Sequence, residues 1–191
     1  MKNIQMIKPA VEIHPERIVL LSGNGQDVGK TSFACQLIKH LKNLNKQVYS
    51  LKISPHFHNK DVPHSIYSSE HFILSLEKSP DTNKDSSRLL LAGADVSFYL
   101  QVRDDSLLEA IQYTFSMIPN EVFVVIESGA LRKLIKPALF FFLMRDKKDP
   151  IKESAVGFPG LADRIIIFNG KGFDLNIDKI KIVNEQLILN D

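Results

Sequence analysis

The chain reads as an α/β protein, a mostly parallel sheet with helices on both faces, and three observations lead to that class. Apolar runs of strand length recur along it, from Arg17-Ile18-Val19-Leu20-Leu21 through Val122-Phe123-Val124-Val125-Ile126 to Arg164–Phe168. Between them lie stretches whose apolar residues return at helical spacing, such as Phe33, Leu37, Leu41 and Leu44. The first strand–helix junction is Ser22-Gly23-Asn24-Gly25-Gln26-Asp27-Val28-Gly29-Lys30-Thr31-Ser32, a glycine-rich turn closing on Gly-Lys-Thr. Strands alternating with helices indicate a doubly wound, three-layer domain with ligands at the carboxyl ends of the strands.

Residues 1–16 read as an arm or an edge strand, because Pro9 and Pro15 argue against a central one. After the first helix, which fades around Asn43 to Asn45, Gln47–Ile53 forms a second strand. Residues 54–80 are a less regular insertion, punctuated by Pro55, Pro63 and Pro80, in which Ile66 to Leu76 is either a strand pair or a helix. A helix over Thr82–Ala94 follows, with Thr82 and Asp85 resembling a capping box, Leu90 and Leu91 giving buried contacts and Gly93 as the stop. Val96–Val102 is a strand. Asp104 or Asp105 caps a helix whose Leu107, Leu108, Ile111, Phe115 and Ile118 share a face before Pro119. Val122–Ile126 is continuously apolar, as a strand covered on both faces should be. Ala138–Met144 and Arg164–Phe168 are further apolar runs, and Leu175–Leu187 reads as a final amphipathic helix.

The 191 residues fit a single domain, and 44% hydrophobic with 24% charged residues is ordinary for a globular chain. A net charge of +2 gives no global attraction to nucleic acid or acidic lipid. The longest apolar run, Pro137–Met144, is eight residues, far short of the ~20 that span a bilayer. No membrane partner is expected, and with the solitary Cys35 as a packed thiol the expected location is the cytoplasm.

The turn carries the chemistry. Its glycines let successive N–H groups face inward as a nest for phosphate oxygens, and the next helix aims its unpaired N–H groups at the same spot. Residues 23–32 (Gly23, Asn24, Gly25, Gln26, Asp27, Val28, Gly29, Lys30, Thr31 and Ser32) are therefore the candidate phosphate site. Lys30 reaches the terminal phosphates, and the Thr31 hydroxyl suits Mg²⁺. Glu127, at the carboxyl end of a core strand, can serve the same ion, making it a metal and catalytic candidate beside Lys30. Lys52 occupies a similar strand end, and Lys84, Asp85 and Arg88 open a helix. The histidines of the insertion, His56, His58, His64 and His71, lack the companions and spacing of a zinc site. Phe140 to Phe142 reads as core or subunit interface.

On these segments the chain resembles the MobB family, the molybdopterin-guanine dinucleotide biosynthesis protein B proteins of the P-loop NTPase superfamily. The matching parts are Gly29-Lys30-Thr31, Val48-Tyr49-Ser50-Leu51-Lys52 with a histidine-bearing loop after it, and Lys84-Asp85-Ser86 with Arg88 and Ala92-Gly93-Ala94. Glu127 with Gly129 and Phe173-Asp174-Leu175-Asn176 complete the set. The resemblance implies a homodimer that binds GTP with Mg²⁺, hydrolyses it slowly and assists a molybdopterin guanylyltransferase. It implies phosphate and metal roles for Lys30 and Thr31, metal binding by Glu127, and Asp85 near the nucleotide as a further metal candidate. Asn169 and Lys171 lie past the last strand, where many GTPases of this superfamily read the purine, and are candidates for base contact. Arg88 or Arg132 is a candidate for an arginine supplied by the second subunit. Five residues separate Gly23 from Gly29, as in dethiobiotin synthetase, which opens a second reading: an ATP-dependent ligase or kinase whose Lys52 holds an acidic substrate.

Overall fold

The computed structural model describes residues 13–57, 64–79 and 84–190. Its main sheet contains β1 (Ile18–Gly23), β2 (Val48–Ser54), β3 (Ser65–Ser68), β4 (Phe72–Leu76), β5 (Val96–Val102), β6 (Phe123–Glu127), β7 (Leu139–Met144) and β8 (Arg164–Ile167). Across the sheet they lie in the order β3-β4-β5-β2-β6-β1-β7-β8. Neighbours from β5 to β8 run parallel. β4 is antiparallel to β5, and β3 to β4. The expected α/β class, a mostly parallel sheet flanked by helices, is what forms.

Strand parity divides the core in two. Val19, Leu21, Val125 and Phe141 face one side, packed under α1 (Lys30–Asn43) and α2 (Asp85–Leu91). Ile18, Leu20, Val124, Phe140 and Phe142 face the other, under α3 (Leu107–Phe115) and the short α4 (Phe158–Leu161). Phe140 to Phe142 is thus sheet interior on both faces. β1 sits between β6 and β7, so the turn that follows it opens at the middle of the sheet edge.

Several expectations need correction. Residues 1–12 and Thr82, with its capping box, lie outside the described residues. Leu89 supplies the buried contact of α2, whereas Leu91 is exposed. Gly93 does stop that helix, at φ +107, where glycine alone is unstrained. α3 is entered through a 3-10 turn, Asp104–Ser106, and Ser106 is its N-cap without a side-chain bond, so neither aspartate caps it. Leu108 points outward. Within the insertion, Ile66 to Leu76 is the strand pair β3–β4.

The largest departure is at the end of the chain. Instead of a helix over Leu175–Leu187 there is a hairpin, β9 (Ile180–Val183) with β10 (Gln186–Leu189). Asn184 and Glu185 both take positive φ, 49° and 61°, the two-residue turn whose twist suits a hairpin. Ile180 and Ile182 flank Lys181, and Ile180, Ile182 and Leu187 dock on the α1-side core. Among the described residues no helix is long and apolar enough to cross a membrane.

Candidate functional site

Strand register brings the polar residues together. Leu21 lies beside Glu127, Glu127 beside Lys52, Lys52 beside Tyr99, and Tyr99 beside Ser75, one line across five strands. Residues in line share a face, here the face under α1 and α2. Both helices begin above that line, so their first residues are held next to it.

Glu127 is the buried centre, 3% exposed. Its Oε2 accepts a 2.8 Å bond from the Thr31 hydroxyl, in the first turn of α1. The Lys52 ammonium donates to Glu127 Oε1 and lies 2.9 Å from Asp85 Oδ2, at the start of α2. Arg88 approaches Asp85 at 3.6 Å and donates to Ser32 Oγ at 3.0 Å. Burial works against the Lys52 ammonium, but Glu127 and Asp85 outweigh it and raise its pKa. Burial alone would raise Asp85; Lys52 overrides it and holds the carboxyl below the usual range. Lys30 is shifted down by burial, with Glu127 opposing. The ion pair therefore favours the charged form of Asp85 in a partly dry site, and Lys52 is the counter-ion that Asp85 and Glu127 share.

The turn after β1 has the shape of an anion nest. Gly25, Asp27 and Gly29 take φ of 118°, 53° and 86°, alternating with ordinary residues. Asn24 anchors it: its N–H donates to Leu143 O at 2.9 Å, its side chain donates to Pro150 O at 3.0 Å and accepts from Lys152 N at 2.9 Å. From Gln26 through Ser32, the backbone N–H groups take no acceptor among the described residues. Lys30 folds over the turn and donates to Gly25 O. A β-carbon on Gly23 would come within 2.7 Å of Leu143 O, and one on Gly29 within 2.7 Å of the Phe168 ring, so both positions require glycine.

A cavity of about 870 Å³ opens over this line. Of the residues singled out from the sequence, Gln26, Asp27, Gly29, Lys30, Thr31, Ser32, Lys52, Lys84, Asp85 and Glu127 line it. Gly23, Asn24, Gly25 and Val28 do not; they shape the turn, with Val28 buried in the core. Asn169 and Lys171 are not brought to the cavity either. The Asn169 side chain accepts from Lys171 N at 2.9 Å and Gly172 N at 2.8 Å, closing its own loop. At that end the wall is made by Phe168 and by Arg145, whose guanidinium sits 4.9 Å over the Phe168 ring. Arg88 lines the cavity, whereas Arg132 packs on Phe140. Cys35 is a packed thiol donating to Arg88 O, its pKa raised by burial.

His56 and His64 line the cavity; His58 lies outside the described residues, and His71 is exposed beside Glu70. Among the described residues no three His, Cys, Asp or Glu side chains converge as a metal cage. Sequence reasoning passed over Ser75, Glu77, Tyr99, Gln101, Arg145 and Phe168, all on the wall. The alternation Ser97-Phe98-Tyr99-Leu100-Gln101 was the available signal for two of them. Comparison of the chain with models of known protein families, with curated proteins and with solved structures returns no match.

Proposed function

We propose that the protein binds a purine nucleoside triphosphate, GTP foremost, together with Mg²⁺ and hydrolyses it slowly. In this reading it is a P-loop NTPase of the MobB type, a cytoplasmic homodimer that assists a molybdopterin guanylyltransferase. The observation that carries the nucleotide part is the buried Thr31–Glu127 bond beneath a run of N–H groups without acceptors among the described residues. A polyanion would receive those N–H groups, the amino end of α1 and the Lys30 ammonium in one place. Arg145, which follows β7 beside β1, and Phe168, whose ring packs against Gly29, offer a flat cationic wall for the base.

The donor set fits Mg²⁺. Thr31, Glu127 and Asp85 offer hard oxygens, and this ion takes one or two protein ligands and completes its shell with water and phosphate. Bound there, it would supply charge neutralisation to the leaving phosphates. Lys30 would hold the terminal phosphate in place, and the N–H groups would stabilise charge on its oxygens. Arg88 lies close enough to the turn to add to that positive field.

Equilibrium titration of GTP and of ATP, with and without Mg²⁺, tests the proposal on wild type and Lys30→Ala. The expected result is micromolar affinity, about −8 kcal/mol, weakened at least tenfold in the variant. Absence of triphosphate binding overturns the reading. Micromolar ATP affinity with GTP ignored instead favours the ligase or kinase reading, to which the five-residue spacing from Gly23 to Gly29 already points.

A further inference from the structure

Three neighbouring strands carry opposite chemistry on their two faces. Toward α3, β2, β5 and β4 present Leu51 and Ile53, Phe98 and Leu100, and Phe72 and Leu74, all within the core. Toward α2, the same strands present Val48, Ser50, Lys52 and Ser54, then Ser97, Tyr99 and Gln101, then Ile73 and Ser75, a face that is polar apart from Val48 and Ile73. A parallel sheet between two helical layers is normally apolar on both faces, because an unpartnered buried polar group costs free energy. Here Ser50 and Ser97 lie under α2, bonded to Val96 O and Ser86 O. Farther along the strands, Ser54, Ser75, Tyr99 and Gln101 form a wall of the cavity.

On that wall the Ser54 and Ser75 hydroxyls donate to His56 O at 3.5 Å and Tyr99 O at 3.2 Å, and the Tyr99 phenol is the donor presented to a ligand. The carboxylate of this region, Glu77, is already committed: it accepts from Lys78 N and Ser79 N at 3.1 Å and from the Ser86 hydroxyl at 2.7 Å. The Tyr99 phenol, the Gln101 carboxamide and the rings of His56 and His64 border the same space. From β6 to β4 is three strand steps, roughly 14 Å at the usual spacing, which suits a small molecule.

We infer that this row is a second binding subsite, for a small polar molecule bearing a carboxylate or a phosphate. Its position next to a terminal phosphate rests on the nucleotide reading; the subsite itself rests on the polar row.

The test uses the full chain with Mg²⁺ and saturating β,γ-imido GTP, so that the turn is filled. Succinate and glycerol 3-phosphate are then titrated while the NMR signals of the Tyr99 ring and the Gln101 carboxamide are followed. The expected result is saturable millimolar binding of at least one probe, weakened fivefold or more in Tyr99→Phe, a substitution that removes one hydroxyl and keeps the ring. The stronger probe distinguishes a carboxylate from a phosphate ligand. The inference is overturned if neither probe moves those signals, if Tyr99→Phe binds as wild type does, or if the probe only displaces the analogue. Should the analogue fail to bind, the nucleotide reading falls separately. Succinate titrated without the analogue then decides the subsite by the same two signals and the same variant.

Discussion

Toward α3, strands β2, β5 and β4 bury leucine, isoleucine and phenylalanine; toward α2 the same strands bury serines and Gln101 and half-bury Lys52 and Tyr99. The two faces are held together by different means. The first gains roughly 1.5–3 kcal/mol for each large side chain removed from solvent. The second pairs polar groups with one another, in the Thr31–Glu127–Lys52–Asp85 chain and in serine bonds to backbone, and turns Tyr99 and Gln101 toward the cavity. Apolar packing and polar bonding are thereby assigned to alternate positions of one strand.

The largest effect should come from breaking the apolar face. Leu100 is 0% exposed, and Leu100→Ala should lower unfolding free energy by roughly 3–4 kcal/mol in urea denaturation. Nucleotide affinity should stay within twofold of wild type. A parallel loss of affinity would show that the two faces are not separable.

A somewhat smaller effect is expected from Lys52→Met, which strips Glu127 and Asp85 of their counter-ion and should cost roughly 2–3 kcal/mol at pH 7. The sign with pH follows from the two shifts. Asp85 is lowered, so its contribution is present above the ordinary value of 3.8 and is lost as pH falls through the folded value. Lys52 is raised, so its contribution is present below 10.5 and is lost as pH rises through the folded value. The deficit of the variant should therefore be widest near neutrality and narrow at both extremes. A pH-independent deficit in denaturation curves would mean that lost packing, not charge, is responsible.

The smallest structural change sharpens the polar side. Glu127→Gln keeps size and hydrogen-bonding capacity, and should leave nucleotide bound while lowering Mg²⁺-dependent hydrolysis at least tenfold, about 1.4 kcal/mol. Unchanged turnover would remove Glu127 from the chemistry.

The sequence announces what is local. Strand, glycine turn and helix at residues 18–43 are contiguous, and the meeting of Thr31 with Glu127 follows once two parallel strands end at one edge. The polar row was harder to see, because Ser97, Tyr99 and Gln101 alternate with apolar neighbours in the same way as a solvent-facing strand. Only the placement of β5 between β2 and β4, under α2, turns that face inward. Arg145 and Phe168 were hidden for a related reason: each follows a different strand, and β7 and β8 become neighbours only in the sheet. Asn169 and Lys171 looked suitable by position, yet Asn169 satisfies its own loop. The final hairpin was misread because its leucines and isoleucines suit either period, and Asn184–Glu185 is a weaker turn signal than Asn-Gly.

Gly29 has a consequence for how the molecule is made. The rings of Phe168 and Phe173 stand where any side chain on that residue would go, and β1 itself is flanked by strands drawn from residues 123–127 and 139–144. During synthesis, the segment that emerges early therefore waits for most of the polypeptide before its surroundings exist. The turn acquires its walls only after residues 168–173 have left the ribosome.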